Sequence, residues 1–450
     1  MQRIEAAIEK AVRYRANGIL ITETFDLARK QAEAALQNGQ TPFPVVIKDC
    51  FALKDYPTTC SSMMLESFVP PYTSKVVEKL ISRGACIIGK ANHDEYSMGT
   101  SSVLGHFGPV KSALEDASKY DWLVPGGSSG GSAVAVQAGL ADMALASDTG
   151  GSTRNPAAFN GVFGFKPTYG TLSRYGLANS LDSPSIIARS AEECWKYFEY
   201  MTGKEVDDST STDSTKYLGK SSIKGLVVGV PREYHNEKLS EDGWQVWNSS
   251  LNNLKKNGAL IKGVTLPFTK YSSACYHVIT TVDVASNMAR YDGIAYGYRP
   301  SEESSTYAMY AESRSTALNT VVRKRIIAGN FLLLRRYRKE FYERALKVRR
   351  LIKNELDKAL GEVDVLVTPT ASGTAPMYSQ LRQSSYSRED EDDYFTQAAN
   401  LAGIPAISVP FVRDYSLPIG IQVMAARKCD KLACDQTAHM NTITGLYVSS

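Results

Sequence analysis

From Pro125 to Gly170 the chain reads PGGSSGGSAVAVQAGLADMALASDTGGSTRNPAAFNGVFGFKPTYG, and few folds can accommodate so many small side chains in one run. Two Gly/Ser clusters, GGSSGG at 126–131 and GGS at 150–152, flank a segment dominated by Ala, Val and Leu. Glycine at this density disfavours regular structure, so each cluster predicts a turn. The small apolar residues between them predict a tightly packed helix followed by a strand. Packing of that unit should bring the two turns together.

The rest of the chain supplies a sheet. PVVIKD at 44–49 and GACIIGK at 84–90 read as short buried strands, separated by the helical stretch SKVVEKLISRG, which Gly84 closes. The strand pattern restarts with GLVVGVP at 225–231 and continues in VDVLVTPT, AISVPFV and IGIQVMA near the C-terminus. Apolar runs at both ends of the chain predict a single sheet. The polar KEVDDSTSTDSTK at 204–216 predicts a solvated internal connection. At 450 residues, one large α/β domain and a domain carrying an insertion are both open.

Charge and cysteine usage exclude several classes. Hydrophobic residues make up 43% and charged residues 22%, with no apolar run near the roughly 20 residues of a membrane span. The net charge of +4 is too small to argue for nucleic acid by itself. Seven cysteines without CxxC or Cys/His spacing fit neither zinc nor a disulfide framework, and suggest a reducing compartment. Between Arg323 and Arg350, within a helical stretch spanning 320–360, eleven Lys/Arg face two Glu. That face is either merely solvated or a docking surface for a partner protein or RNA phosphate. The acidic run EDEDD at 389–393 reads as a solvated loop. The N-terminal MQRIEAAIEKAVRYR suits an amphipathic helix with Ile4 and Ile8 on one face, while Glu5 and Glu9 weaken a targeting-peptide reading.

Two short motifs point elsewhere. G-ACII-G-K-A at 84–91 has Walker A spacing, but Ala91 stands where Ser/Thr would hold Mg²⁺, and an apolar ACII suits a strand. GGSSG at 126–130 matches a G-x-S-x-G elbow, which requires a downstream acid and histidine; His235, His277 and His439 are available but none lies in a recognisable motif.

The chemistry favours Ser152 with Lys48. A serine hydroxyl is a weak nucleophile and needs a base within hydrogen-bond reach. A buried lysine can be that base once its pKa falls toward neutrality, and a bridging serine can carry the proton. Glycines before Ser152 expose backbone N–H groups able to hold an oxyanion.

With VVIKD, GGSSGG and DTGGS in this order, the chain resembles the amidase signature family. The resemblance implies an α/β fold, with a mixed twisted sheet covered by helices on both faces, in a single domain spanning 1–450. It implies Lys48 as base, Ser128 as the proton bridge behind a cis peptide, Ser152 as nucleophile, and Thr149, Gly150 and Gly151 as oxyanion donors. TTCSSMMLESFVPPYTSKVVEKL, GKANHDEYSMGTSS, KPTYGTLSRYGL, ASNMARYDGIAYGYR and NLAGIPAISVP further resemble the branch of the family that supplies ammonia for Glu-tRNA(Gln) amidation. That branch implies a glutamine clamp of Tyr276, Arg325 and Asp393, with Asp392 as the neighbouring alternative. It also implies a partner, the B subunit, that uses ATP and Mg²⁺ on Glu-tRNA(Gln), together with a small third subunit, and no cofactor in this chain. A shorter segment before Lys48, the longer loop SALEDASKYDW and the divergent LDSPSIIARS fit an organellar, mitochondrial member. The alternatives are a free-standing amidase of small aryl or aliphatic amides and a catalytically silent scaffold subunit.

Overall fold

The computed structural model describes residues 1–115, 120–213, 222–301, 304–383, 391–411 and 417–444, with no side-chain description beyond 440. Eleven strands form one sheet: β1 (Leu20–Glu23), β2 (Phe43–Lys48), β3 (Ala85–Ala91), β4 (Met143–Asp148), β5 (Phe163–Lys166), β6 (Ser183–Ala188), β7 (Val227–Pro231), β8 (Leu260–Val264), β9 (Val365–Pro369), β10 (Ala406–Phe411) and β11 (Ile419–Ala425). Their order is β1-β3-β2-β4-β6-β5-β10-β11-β9-β7-β8. β2 runs parallel to β3 and β4, β7 runs parallel to β8 and β9, and the strands between are antiparallel, so the sheet is mixed.

Each central strand is buried throughout because both faces of the sheet are covered. Val45, Ile47, Ile87, Leu145 and Ile186 enter one core cluster, while their alternating neighbours Val46, Cys86, Ile88, Ala144 and Ile187 enter the other. The N-terminal helix Gln2–Arg13 packs in the second cluster through Ile4, Ala7, Ile8 and Ala11.

The helix Gly130–Gln137 is buried along all but its last residue. Its glycines are required by proximity: a Cβ on Gly131 would lie 2.7 Å from the Ile19 carbonyl oxygen and against that of Asn92. The short side chains thus let this helix sit directly on β2 and β4, at whose C-terminal ends the two serine turns meet.

Several segments gain detail. Lys90, of the Walker-like run, is fully buried within β3 and ion-paired to Asp49 at 2.6 Å, with Thr58 and the Pro57 carbonyl as further partners. It is an internal counter-charge and has no phosphate loop around it. The divergent LDSPSIIARS keeps regular structure, forming β6 between β4 and β5. In the 204–216 connection, residues 214–216 lie outside the described residues. The remainder is more than a solvated linker, because buried Asp208 accepts from the Arg174 and Thr210 backbone N–H groups.

Candidate active site

Lys48 ends β2 and is completely buried. Its Nζ is held by three hydroxyls: Ser128 Oγ at 2.7 Å, Ser129 Oγ at 2.9 Å and Ser147 Oγ at 2.9 Å. Burial pushes the ammonium pKa down from the usual lysine range, against the opposing pull of the acidic groups of Cys50, Asp94, Asp182 and Asp148. Three neutral oxygens can solvate a neutral amine or an ammonium alike, so the proton can arrive and leave without rearranging the cage. Ser129 and Ser147 were not anticipated as partners. The signal lay in the pairing of β2 with β4, which sets Ser147 beside the end of the lysine strand.

Ser128 is also fully buried, behind a cis Gly127–Ser128 peptide bond. Its carbonyl accepts from Ser102 Oγ at 3.0 Å, which fixes the turn. Gly127 has no room for a side chain, since a Cβ there would strike the Asp94 carboxylate and lie 2.6 Å from the Ser101 nitrogen. The Ser128 hydroxyl is engaged by Lys48, not by any of the three downstream histidines that an elbow would need. His235 instead stacks on Trp244 with ring centroids 4.0 Å apart.

Ser152 occupies the second turn and is 7% exposed, whereas Lys48 and Ser128 are wholly enclosed. The two turns are tied directly, with the Ser129 N–H donating to the Ser152 carbonyl at 3.1 Å. Behind the turn, Arg154 makes a two-pronged ion pair with Asp148, with both contacts at 3.0 Å and both side chains buried. Burial alone would raise the Asp148 pKa; the Arg154 charge and hydrogen bonds override it and hold it at about 2. Arg154 also donates to the Thr396 carbonyl and to Gln422, and Asn400 donates to Asp148, so the turn is bolted to the C-terminal half of the chain. This support was also missed. Its trace in the sequence is that Asp148 and Arg154 are the only charged residues between Met143 and Phe165, and buried charges come in pairs.

The same network engages one of the three backbone amides that the resemblance implies as oxyanion donors. The Gly151 N–H already donates to Asp148 Oδ1 at 2.9 Å and is therefore occupied. Among the described residues nothing accepts from the amides of Thr149 and Gly150. Gly151 is needed for its φ of +138° and for its closeness to Thr396. Gly150 is needed because a Cβ would lie 2.7 Å from the ring of Tyr276. Thr149 Oγ1 donates to Asp182 at 2.7 Å, and Asp182 lies in the divergent segment.

Beside these turns opens a cleft whose lining includes Ser147, Thr149, Asp182, Tyr276 and Arg325. Tyr276 projects from the helix Ser272–Asn287 and Arg325 from the helix Thr320–Leu333. These helices cross closely at Gly329, where a Cβ would be 2.7 Å from Ala285 and against the Thr281 carbonyl. Arg325, one turn earlier on the same face, is thereby turned into the cleft. Asp393, from the acidic run, is half-buried, bonded by Gln397 Nε2 at 3.2 Å, and near enough to Tyr276 to oppose ionisation of its phenol. Its neighbour Asp392 is buried and committed to the Ser372 amide and hydroxyl, at 2.8 and 2.6 Å. Residues 389–390 of that run lie outside the described residues.

Comparison with known proteins agrees with this geometry. The family model described as Amidase matches residues 2–434. The mitochondrial glutamyl-tRNA(Gln) amidotransferase A subunit of Aedes aegypti is 46% identical over 86% of this chain and 81% of its own length. Its counterpart in Homo sapiens is 41% identical over 91% of this chain and 84% of its own length. The crystal structure of the glutamyl-tRNA(Gln) amidotransferase A subunit from Thermotoga maritima superposes with a TM-score of 0.75 at 32% identity, covering 97% of this chain and 93% of that one. The chain belongs to the amidase family, on the branch of the glutamyl-tRNA(Gln) amidotransferase A subunits.

Proposed function

We propose that this chain is the glutaminase subunit of a mitochondrial amidotransferase that converts Glu-tRNA(Gln) to Gln-tRNA(Gln). The observation that carries the reading is the shared cleft: Arg325 and Tyr276 line the same space as Thr149 and Ser147, directly beside the Lys48 cage. A guanidinium at one end and the Asp393 carboxylate nearby suit the carboxylate and ammonium of a free amino acid. A simple aryl or aliphatic amide would need neither.

In the reaction, Ser152 Oγ attacks the side-chain carbonyl carbon of glutamine while its proton passes through Ser128 to neutral Lys48. The amides of Thr149 and Gly150 hold the oxyanion. Lys48 returns the proton through Ser128 to the departing nitrogen, so ammonia leaves and a glutamyl ester remains on Ser152. Water, deprotonated along the same relay, then releases glutamate. No group beyond these residues is needed for this half-reaction. ATP and Mg²⁺ belong to the partner B subunit, which activates Glu-tRNA(Gln) and receives the ammonia, and a small third subunit joins the pair.

The test is selective loss. Arg325→Ala should abolish glutamate formation from glutamine by the purified complex and leave hydrolysis of a small neutral amide intact. Unchanged glutamine kinetics would overturn the reading and favour a free-standing amidase.

A further inference from the structure

The Thr320–Leu333 helix has two faces of different character. Val322, Ile326 and Gly329 are buried inward. On the opposite side Ile327, Phe331 and Leu334 follow at i, i+4 and i+7 and are 70%, 45% and 46% exposed. That spacing aligns them in one stripe along the helix and its end. The stripe continues into the next turn, where the Phe331 and Tyr337 rings lie 4.4 Å apart and Tyr337 leads on to Phe341, 39% exposed. Around it stand the exposed cations Arg323, Lys324, Arg335, Arg336, Arg338 and Lys339, against the carboxylates of Glu340 and Glu343. Arg336 sits over the Tyr337 ring at 4.5 Å.

We propose that this stripe is the docking surface for a protein partner whose matching face carries an apolar groove rimmed by carboxylates. A contiguous apolar strip with a charged rim has the anatomy of an interface core, and Phe, Tyr and Arg are the residues that dominate such contacts. The rim selects the occupant. A second copy would set Arg335, Arg336 and Arg338 against their own like charges, with two glutamates to offset them. Nucleic acid phosphates would meet cations at the edges and bare Ile327 and Leu334 at the centre. An acidic protein face satisfies both parts. The proposal rests on the reading of the chain as one component of a larger enzyme.

The test uses the full chain co-expressed with the B-type partner and the small third subunit, with complex mass read by light scattering and Kd by biolayer interferometry. Ile327→Asp combined with Phe331→Asp should weaken assembly by roughly 30-fold or more. Arg335→Glu with Arg336→Glu should slow association about tenfold and flatten its salt dependence. Both variants should retain small-amide hydrolysis as free chains, which separates lost docking from lost folding. Unchanged Kd in both variants overturns the proposal. So does a free-chain dimer that the apolar variant dissociates while partner binding persists, or tRNA binding by the free chain that charge reversal abolishes while Kd holds. Failure of the complex to release glutamate would overturn the glutaminase reading instead, leaving the mass measurement intact.

Discussion

The Lys48 cage and the proposed Arg325 clamp lie beside one cleft, which Ser147 and Arg325 line, but are built on opposite principles. The cage is dry and saturated: Lys48, Ser128 and Ser147 are 0%, 0% and 2% exposed, and glycines at 127, 150 and 151 stand where any side chain would collide. The clamp is half-open, with Arg325 and Asp393 partly exposed on two helical segments that come from distant parts of the chain. Proton transfer needs a fixed, water-poor environment, because a lysine keeps a lowered pKa only while desolvated. Substrate capture needs charges that stay hydrated until the ligand replaces the water. One region is therefore held by packing, and the other by the approach of two helices.

That contrast breaks most sharply at Ser152, the proposed nucleophile. Ser152→Ala should lower kcat on glutamine about 10⁴-fold or more while leaving glutamine binding by calorimetry nearly unchanged, since the clamp is separate. Equal loss of binding would merge the two regions into one. In the native enzyme kcat/KM should rise with pH through the folded pKa of Lys48, which lies below the usual lysine range, because the neutral amine is the working form.

The next largest effect falls on the turn support. Arg154→Ala leaves Asp148 buried without its partner and should cost about 3–5 kcal/mol in denaturant unfolding. For the native protein the Asp148 pKa is depressed to about 2, so its contribution is present above the ordinary aspartate range and is lost as pH falls toward 2. A variant that unfolds at the native midpoint would show that the cage does not depend on this pair.

At the clamp the effects are smaller and specific to substrate. Gly329→Ala pushes the two helices apart and should cost about 1–3 kcal/mol of stability, with KM for glutamine raised and small-amide turnover kept. Arg325→Lys keeps the charge but loses the fork, and should raise KM about tenfold, near 1.4 kcal/mol, at constant kcat. If kcat falls with it, the clamp also orients the reacting amide.

Legibility in the sequence followed the same division. The cage residues lie in strand ends and glycine turns whose spacing is local, so a meeting of Lys48 with the GGSSGG turn could be expected from the sequence. The buried strands from 44 to 49 and from 84 to 90 were likewise plain from unbroken apolar runs. β6 was harder, because SPSIIA carries serines whose hydroxyls are satisfied by tertiary partners such as Thr153, and β8, LIKGV, is exposed along most of its length at the sheet edge. The different surroundings of Asp392 and Asp393 could not be read locally, since Ser372, twenty positions away, engages the first.

By itself the sequence determined the two glycine turns, the strand-end lysine and the apolar strands, because each depends on backbone sterics and short-range periodicity. Only the tertiary structure decided that the Gly151 amide is taken by Asp148, that Ser372 engages Asp392, and that Arg154 answers Asp148. These depend on partners from other strands and helices, and a hydrogen bond or ion pair across a folded sheet leaves no fixed spacing along the chain.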